Sequence, residues 1–521
     1  MRREAVQKVD VVWFKRDLRV QDHAPLRAAS KTGNGVLPLY VVENEYWAQP
    51  FASERHWSFL EASLAELRKD CADLGMPLIV RNGDVCAVLT DLHKQFDLQS
   101  IYAHEETGNG WTYERDKRVL RWCQDNQIPF NEFPSNGVVR RLANRDKWSL
   151  ERNRRMAQDI NPIPTALIPV RGINPGGIPE VKNIFKHPRE VRAEQKGGRK
   201  AGQEVVTSFV ESRVSQYLKC LSAPGLSEQY ASRLSPHLTW GTLSVREVIK
   251  TLSHYKDQAD SHALYGSRRS LSAFQSRLSW RCHFIQKLED QPSIETKCMH
   301  HYFEGLRESE HNQDYYDAWK NGMTGYPFID ACMRNLNHNG WITFRMRAML
   351  VSFASYNLWL DWRKTGYHLA QVFTDYEPGI HYSQLQMQSG VTGINTVRIY
   401  NPIKQSMDHD STGAFIRRWV PELQDVGSDW IHEPWKMDAS QQQNAQVKIG
   451  DTYPAPLTEH SPSVKLARAK MADVFHRKGF REASKAVYEK LGSRRRQPKR
   501  SGRSQKVKRA DKPNSQLSLF D

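Results

Sequence analysis

The sequence has few cysteines and no long hydrophobic run. Its seven cysteines are scattered and none forms a CxxC pair, so it predicts no disulfide framework, zinc site or iron–sulfur cluster. No eighteen consecutive residues are apolar and the mean hydropathy is −0.68, which argues against a membrane span. The first twenty residues contain no apolar run of signal-peptide length. We therefore expect a reduced, soluble, cytoplasmic protein without a metal centre.

Positive charge and tryptophan, in contrast, are abundant. The chain carries 75 Lys and Arg against 58 Asp and Glu, a formal charge of +17. This excess favours an anionic partner, nucleic acid in the first place and an anionic membrane surface in the second. The 15 tryptophans indicate a packing or stacking use. A chain of 521 residues is too long for one ordinary core, so we expect two or three domains.

The first part of the chain, residues 1–135, predicts an α/β domain. Short apolar runs such as "VDVVWF" and "VLPLYVV" alternate with amphipathic helical patterns, which is typical of a doubly wound parallel sheet. No GxGxxG motif is present, so nothing supports Rossmann-type dinucleotide binding. Clusters of Pro, Gly and charge mark residues 136–204 as an interdomain linker.

Helical periodicity dominates residues 205–485, which we expect to form a larger all-α domain. Residues 486–521 are expected to be a disordered basic tail, because residues 493–512 hold ten Lys or Arg against one Asp. The predicted architecture is an α/β N-terminal doubly wound parallel-sheet domain, a linker, an all-α domain and a tail.

One segment of the helical part is rich in polar side chains. The sequence "DYEPGIHYSQLQMQSG" at 375–390 follows an apolar helix that carries Arg345 and Arg347 near its start. A buried arginine requires a carboxylate or an anionic ligand, and Asp375 and Glu377 are near enough in the chain to fold back as partners. The segment is either an ordinary surface loop or the floor of a cavity that holds a planar anionic cofactor.

Five motifs follow one another along the chain: "VVWFKRDLRVQDHAPL" (11–26), "SRLSPHLTWGTLS" (232–244), "SRLSWRCHF" (276–284), "WKNGMTGYPFIDACMRNL" (319–336) and "RIYNPIKQSMDHDSTGAFIRRWVPEL" (398–423). In this order they resemble the photolyase/cryptochrome family of blue-light flavoproteins. The resemblance implies FAD inside the helical domain and allows a second, antenna chromophore of unknown identity in the N-terminal domain.

The resemblance also implies which residues bind FAD. Arg347 and Asp375 would form an ion pair beside the isoalloxazine ring, with Glu377 at its polar edge and His381 facing flavin N5. The implied cofactor-binding residues are Tyr217, Ser232, Leu234, Ser235, Phe274, Arg281, Trp341, Phe344, Arg347, Asp375, Glu377 and His381.

At the substrate side the sequence departs from the family's pattern. Arg277 stands where the family has a lesion-binding Glu, and Phe344 where it has an Asn. The paired tryptophans of the family align best with Leu385 and Met387, with Ser383 or Tyr382 as the alternative occupants. These departures weaken the expectation of dimer splitting. The implied substrate-contacting residues are Trp280, Arg345, Met387 and Arg277.

Three tryptophans are candidates for electron transfer to the flavin. Trp362 and Trp319 match tryptophan positions of the family. Trp359 lies three residues before Trp362 and is either an electron-transfer step or a core residue.

The last residues form a separate candidate motif. Gln516, Leu517, Ser518, Leu519 and Phe520 are similar to the peptide by which bacterial repair and replication proteins bind the sliding clamp. Either this peptide docks on a clamp, or the tail packs on its own domain. The basic stretch before it either adds salt-sensitive DNA affinity or keeps the protein soluble.

The leading hypothesis is a light-driven DNA repair enzyme, a carbon–carbon lyase of the deoxyribodipyrimidine photolyase type. Excited reduced FAD would inject an electron into a pyrimidine dimer flipped out of UV-damaged DNA. The alternative is a cryptochrome-like photoreceptor that binds FAD without repair, and a third reading is a flavin-bearing DNA-binding module without photochemistry. We expect a monomer in the cytoplasm of a bacterium, associated with the nucleoid.

Overall fold

The computed structural model describes residues 7–188, 195–258 and 265–493. Its N-terminal part contains one five-stranded sheet in which every pair of neighbouring strands is parallel and the order is β3-β2-β1-β4-β5. The doubly wound parallel sheet predicted from the sequence is confirmed. The strands are β1 (Lys8–Phe14), β2 (Gly35–Val42), β3 (Ile79–Asn82), β4 (Asp97–His104) and β5 (Phe130–Phe133).

The helices of this part connect successive strands. Helix α3 buries Trp57, Leu60, Leu64 and Leu67 in the hydrophobic core to which the strands also contribute, as its apolar spacing predicts. Because the strand order reverses between β1 and β4, a crevice lies at the carboxyl ends of these two strands. The helices are α1 (Ala24–Ala29), α2 (Asn44–Trp47), α3 (Glu54–Asp73), α4 (Val85–Gln95) and α5 (Gly110–Asp125).

The connection at 136–204 is more structured than a linker of Pro and Gly suggests. It follows the edge of the sheet and satisfies backbone groups there: Val36 N–H donates to Ile168 O at 2.9 Å and Val80 N–H to Pro175 O at 2.8 Å. Buried backbone N–H groups need hydrogen-bond partners, and these bonds hold the connection against the sheet. Its helices are α6 (Trp148–Ala157), α7 (Val181–Ile184) and the start of α8 (Arg199–Ser208).

The rest of the described chain is helical, and within it there is no sheet, only an isolated bridge between Ile449 and Tyr453. The all-α fold class predicted for this part is confirmed. Its helices are α9 (Tyr217–Cys220), α10 (Pro224–Tyr230), α11 (Ser235–Thr239), α12 (Val245–Gln258), α13 (Tyr265–Asp290), α14 (Gln313–Asn321), α15 (Pro327–Asn339), α16 (Phe344–Ser352), α17 (Trp362–Val372), α18 (Pro378–Ser389), α19 (Pro402–His409), α20 (Ala414–Trp419), α21 (Ala439–Asn444), α22 (His460–Phe475) and α23 (Phe480–Leu491). None of the helices so described is long and apolar enough to cross a membrane.

Two local expectations differ from the structure. The polar segment 375–390 is not a loop: helix α18 begins at Pro378 and ends at Ser389, because Pro378 suits a first helical turn. Helix α23 continues to Leu491, beyond residue 485, where the tail was expected to begin. Residues 494–521, with the clamp-like peptide, lie outside the described residues.

The end of β1 contacts the helical part directly. Arg16 donates from Nε to Thr239 O at 3.1 Å and from Nη2 to Tyr376 O at 3.0 Å. Gly241 has φ +71°, and a Cβ at this position would lie 2.1 Å from the Arg16 carbonyl oxygen. Only glycine permits this approach, which fixes the sheet edge against the helices.

Candidate functional site: a cavity between α11, α13, α16 and α18

A cleft of about 260 Å³ opens between helices of the all-α part. Short helices α9 and α11 form one wall, the long helix α13 a second, and the starts of α16 and α18 a third. Most of the residues expected at a cofactor or substrate site line it together. They are Tyr217, Ser232, Leu234, Ser235, Phe274, Arg277, Trp280, Arg281, Trp341, Phe344, Arg345, Arg347 and Asp375.

A smaller chamber of about 70 Å³ adjoins the cleft. Phe344, Arg347, Asp375, Ile380 and Gln384 line both spaces, so the two form one continuous site. The chamber adds the two remaining expected cofactor residues, Glu377 and His381.

One expected residue is not brought into the site. Met387 is half-buried on α18 and is not among the residues that line the cleft or the chamber. The same helix contributes Ile380 and Gln384 instead, which sequence reasoning missed. Their one-turn spacing on α18 is the signal that could have identified them.

The ion pair predicted between Arg347 and Asp375 is present and bidentate. The two N–H···O distances are both 3.0 Å, and the guanidinium stacks on Phe373 at 4.1 Å. Burial alone would raise the pKa of Asp375, but the charge and hydrogen bonds of Arg347 outweigh burial and hold that pKa below its ordinary value. Asp375 is therefore ionised at neutral pH.

A second ion pair lies where the cleft, the chamber and the N-terminal domain meet. Arg281 contacts Glu377 at 2.7 Å, and Arg16, two residues after the end of β1, approaches the same carboxylate oxygen at 3.6 Å. Within the described part of the chain, Glu377 Oε1 and Arg281 Nη1 are buried without a hydrogen-bond partner, as is Gln384 Nε2. Buried polar groups without protein partners are satisfied by a ligand or by water, so this position offers donors and an acceptor to either.

The lining of the cleft is strongly positive. It contains five arginines, whereas the cleft and chamber together contribute two carboxylates, Asp375 and Glu377. Arg233 lies over the Trp341 ring at 4.5 Å, and burial lowers its pKa to about 10. Burial also lowers the pKa of Arg277, which bonds to the Tyr217 hydroxyl. A pocket of this charge is suited to an anionic ligand such as a diphosphate.

His381 is neutral in this environment. Burial lowers its pKa to about 4, and its Nε2 donates to the Gly366 carbonyl oxygen at 2.9 Å. The remaining ring nitrogen, Nδ1, is therefore an acceptor.

The candidate tryptophans for electron transfer occupy different surroundings. Trp319 and Trp362 are buried, and Leu385, which aligns with a tryptophan of the family, lines the chamber. Trp359 is half-buried with φ +53°, and its ring lies between Arg307 at 4.4 Å and Lys470 at 4.8 Å. Two cations beside an indole destabilise its oxidised, positively charged form, which favours a structural role for Trp359.

One cluster among the described residues is compact enough for a metal ion. Asp17 accepts hydrogen bonds from His23 Nε2 at 2.9 Å and His104 Nδ1 at 2.7 Å. His23 Nδ1 in turn accepts the Leu26 N–H, so the proton of neutral His23 is on Nε2. A metal would have to displace this proton and form an imidazolate. The cluster is a hydrogen-bonded trio that holds the end of β1.

The crevice at the carboxyl ends of the strands is filled with paired charges. Arg115 contacts Glu43 at 3.1 Å, Glu106 at 2.5 Å and Asp116 at 2.9 Å, and Lys15 contacts Asp116 at 2.8 Å. The two cavities left around this network measure about 50 and 30 Å³. Ion pairs join these groups to one another, except that Glu43 Oε1 is buried without a hydrogen-bond partner. The two small cavities leave no space for a planar ring.

Comparison with known proteins gives two family matches. The family described as "DNA photolyase" matches residues 10–147, and the "FAD binding domain of DNA photolyase" matches residues 274–473.

Similar whole chains bear two different names. A cryptochrome DASH from Synechocystis sp. is 28% identical over 88% of this chain and 96% of its own. A deoxyribodipyrimidine photo-lyase from Streptomyces griseus is 29% identical over 87% and 96%. The structure of a class III photolyase from Agrobacterium tumefaciens shares the fold with a TM-score of 0.78 at 24% identity, over 91% of this chain and 99% of the other.

Proposed function

This chain belongs to the photolyase/cryptochrome family of FAD-binding proteins, and from that premise we propose that it is a light-driven DNA repair enzyme. Its reaction would be that of a deoxyribodipyrimidine photolyase, the splitting of UV-induced pyrimidine dimers. The family contains repair enzymes and cryptochromes at similar identity to this chain, so the choice between them rests on the site.

The observation that carries the proposal is what the cleft contains besides the expected cofactor residues. Trp280, Arg277 and Arg345 line the same cleft as ten of the twelve expected cofactor residues. Holding a flavin alone does not require a further half-buried indole and two further cations at this cleft. A flipped-out pyrimidine dimer with its phosphates would use both the indole and the cations.

The residues present fit FAD. The arginine-rich lining complements a diphosphate, and the buried unpartnered groups of Arg281, Glu377 and Gln384 supply the donors and the acceptor that a flavin ring and its chain require. We therefore propose that the cofactor set inferred from the sequence holds FAD, and that Gln384 belongs to it. FAD supplies light absorption and the transferred electron when it is bound.

The chain's own residues supply position and electrostatics. The Arg347–Asp375 pair is neutral overall, so it can hold a polar ring edge without adding net charge to the chamber. Arg345, fixed by a 2.9 Å hydrogen bond to Ser222, is placed to bind a backbone phosphate of the substrate. Trp280 offers a half-buried indole on which a base can stack.

A second chromophore does not fit the usual crevice of such a sheet. A ring at the carboxyl ends of β1 and β4 would have to displace Arg115 from three carboxylates at once. This displacement would leave a buried cation and several buried carboxylates unpaired, which is strongly unfavourable.

A cryptochrome-like receptor is the second candidate function. Two observations favour it: Arg277 bonds to Tyr217, a residue of the proposed cofactor set, and Met387 is outside the lining. Both weaken the expected contacts to a dimer. Under this alternative the protein would keep FAD and its photochemistry but would not restore damaged DNA.

The partners follow from the repair proposal. We propose that the protein acts as a monomer on UV-damaged DNA in the cytoplasm, near the nucleoid. We also propose that Gln516–Phe520, at the end of the basic tail, docks on a sliding clamp. An amidated synthetic peptide of residues 510–521 should bind a purified bacterial clamp, and the same peptide with Leu519→Ala and Phe520→Ala should not.

Repair of a thymine-dimer oligonucleotide by the purified, reduced, FAD-loaded protein tests the main proposal. We expect restoration under blue light and none in the dark. Trp280→Ala should abolish restoration while FAD absorbance is kept, and Trp122→Ala, another half-buried tryptophan but in the N-terminal domain, should repair normally. A protein that holds FAD, responds to light and restores nothing would contradict repair of thymine dimers and would point to a receptor or to repair of another lesion.

A further inference from the structure

Helix α13 forms the wall of the cleft that carries Trp280. The residues that this helix contributes to the lining are Phe274, Arg277, Leu278, Trp280, Arg281 and Phe284. The polar groups among them are two guanidinium groups and one indole N–H, and all of these groups are hydrogen-bond donors. In the described lining, the α13 wall therefore presents donors and no side-chain acceptor to a ligand.

The two arginines of this wall have different surroundings. Arg281 contacts Glu377 at 2.7 Å and donates to the Leu238 carbonyl oxygen at 2.9 Å, so it belongs to the ion pair at the domain contact. Arg277 is half-buried and makes a hydrogen bond to the Tyr217 hydroxyl. A guanidinium carries several N–H donors in a planar fork, and the bond to Tyr217 orients this fork beside the cleft.

Arg277 and Trp280 are placed to contact the same base. They are three residues apart on α13, so their side chains are neighbours on one face of the helix, and both line the cleft. A base whose face stacks on the Trp280 indole would turn an edge towards the Arg277 guanidinium. Because this group donates and cannot accept, an N–H on that edge of the base would have no partner in Arg277.

The pyrimidines differ in the edge that they would offer to such a group. Cytosine has two adjacent acceptors, O2 and N3, and a guanidinium binds two adjacent acceptors with two parallel hydrogen bonds. Uracil and thymine have an N3–H donor between two carbonyl acceptors, so the same approach brings a donor against a donor, which is unfavourable at a partly buried site. Formation of a cyclobutane dimer changes C5 and C6 and keeps these edges.

We propose that Arg277 makes the cleft selective for pyrimidine dimers that contain cytosine over dimers of uracil or thymine. This inference rests on the proposed repair function and specifies which substrate the site prefers. A bidentate contact with O2 and N3 corresponds to a preference of about tenfold in affinity. A thymine dimer is still expected to bind, through the Trp280 indole and the phosphate contacts, but more weakly.

Binding of dimer-containing oligonucleotides to the FAD-loaded full chain in the dark, followed by fluorescence anisotropy, tests this proposal. An oligonucleotide with one cis-syn cytosine–cytosine dimer is the first probe. Its deaminated form, which has a uracil–uracil dimer in the same sequence, is the second, so the two probes differ only in the base edge. The undamaged oligonucleotide gives the background. We expect the cytosine dimer to bind about tenfold more tightly than the uracil dimer.

Two substitutions assign the preference to the Arg277 guanidinium. Arg277→Lys keeps the positive charge but loses the planar fork, so the preference should disappear while attraction to the phosphates is kept. Arg277→Glu supplies an acceptor for N3–H and should reverse the preference. Arg118→Lys is the matched control, because Arg118 lies in the N-terminal domain with its side chain 38% exposed, and it should leave the ratio of the two affinities unchanged. FAD absorbance checks that each variant is folded.

Two results would overturn this inference alone. They are equal binding of both dimers above the undamaged background, and a preference that survives in Arg277→Lys with both affinities lowered together, which would show that Arg277 contacts a phosphate and not a base. If neither dimer binds more tightly than undamaged DNA, the repair proposal fails together with this inference. None of these measurements uses light, so they distinguish the choice of substrate from the photochemistry.

Discussion

Replacing Asp375 by Asn should destabilise the protein far more than its small change in shape suggests. The substitution keeps the size of the side chain but leaves Arg347 in the chamber without its carboxylate. Removing one partner of a buried pair costs about 3–5 kcal/mol. Because the Arg347 side chain is 22% exposed while Asp375 is 5% exposed, water can partly solvate the remaining cation. We therefore expect a loss at the lower end, about 3 kcal/mol.

The measurement is urea unfolding of the FAD-free protein, followed by far-ultraviolet circular dichroism at neutral pH. Asp91→Asn is the control, since Asp91 pairs with Lys94 at the surface with both side chains about 70% exposed, where such a pair contributes at most about 1 kcal/mol. The combined variant Arg347→Gln and Asp375→Asn should be more stable than Asp375→Asn alone, because it removes the uncompensated charge.

The same pair predicts a pH dependence with a definite sign. The pKa of Asp375 is lower in the folded protein than in the unfolded chain, so its stabilising contribution is present above about pH 4 and is lost as the pH falls below that value. The stability difference between the wild type and Asp375→Asn should therefore shrink in acid. Equal effects of Asp375→Asn and Asp91→Asn, or additive losses in the combined variant, would refute the buried-pair reasoning.

Three further predictions concern the domain contact, the tryptophans and a buried histidine. Gly241→Ala should lower the stability of the folded protein by about 3 kcal/mol or more, because it combines strain at φ +71° with a 2.1 Å clash. The control Gly172→Ala, with φ +72° and nothing within 4 Å, should cost about 1 kcal/mol. Equal losses in thermal unfolding would argue against the tight contact at Gly241. Trp359→Phe should leave the rate of FAD photoreduction unchanged while Trp362→Phe slows it, and a slowed rate in Trp359→Phe would show that electrons pass through that ring. Burial lowers the pKa of His56 to about 4, so the stability of the folded protein should fall as the pH drops from about 6.5 towards 4. His56→Gln should reduce this pH dependence in acid-unfolding curves. An unchanged pH dependence would show that His56 is not the responsible group.

The cleft in the all-α part places five arginines beside buried groups that lack hydrogen-bond partners, such as Gln384 Nε2 and Arg281 Nη1. A ligand that binds the folded protein and not the unfolded chain stabilises the fold by an amount that grows with its concentration and affinity. FAD should therefore raise the melting temperature of the protein, and the increase should grow with FAD concentration.

The sequence by itself determined the class of the fold and the family. The strands of the N-terminal sheet are short apolar runs, and their local pattern is sufficient to predict a parallel α/β domain. The pairing of Arg347 with Asp375 was also predictable, since a buried arginine must find a carboxylate and the candidates lie about thirty residues away in the chain. These inferences depend on local residue patterns and on the order of motifs along the chain.

The tertiary structure decided what depends on how distant helices meet. The sequence did not show that α18 turns Ile380 and Gln384 towards the cavity and leaves Met387 outside it, because that orientation is fixed by packing against α13 and α16. Nor did it show that Arg115 fills the crevice at the sheet edge, since Glu43 and Glu106 come from other segments. The sequence specifies the type of each side chain. Contacts between elements far apart in the chain determine which groups surround that side chain, and these groups determine its charge state and its ligand.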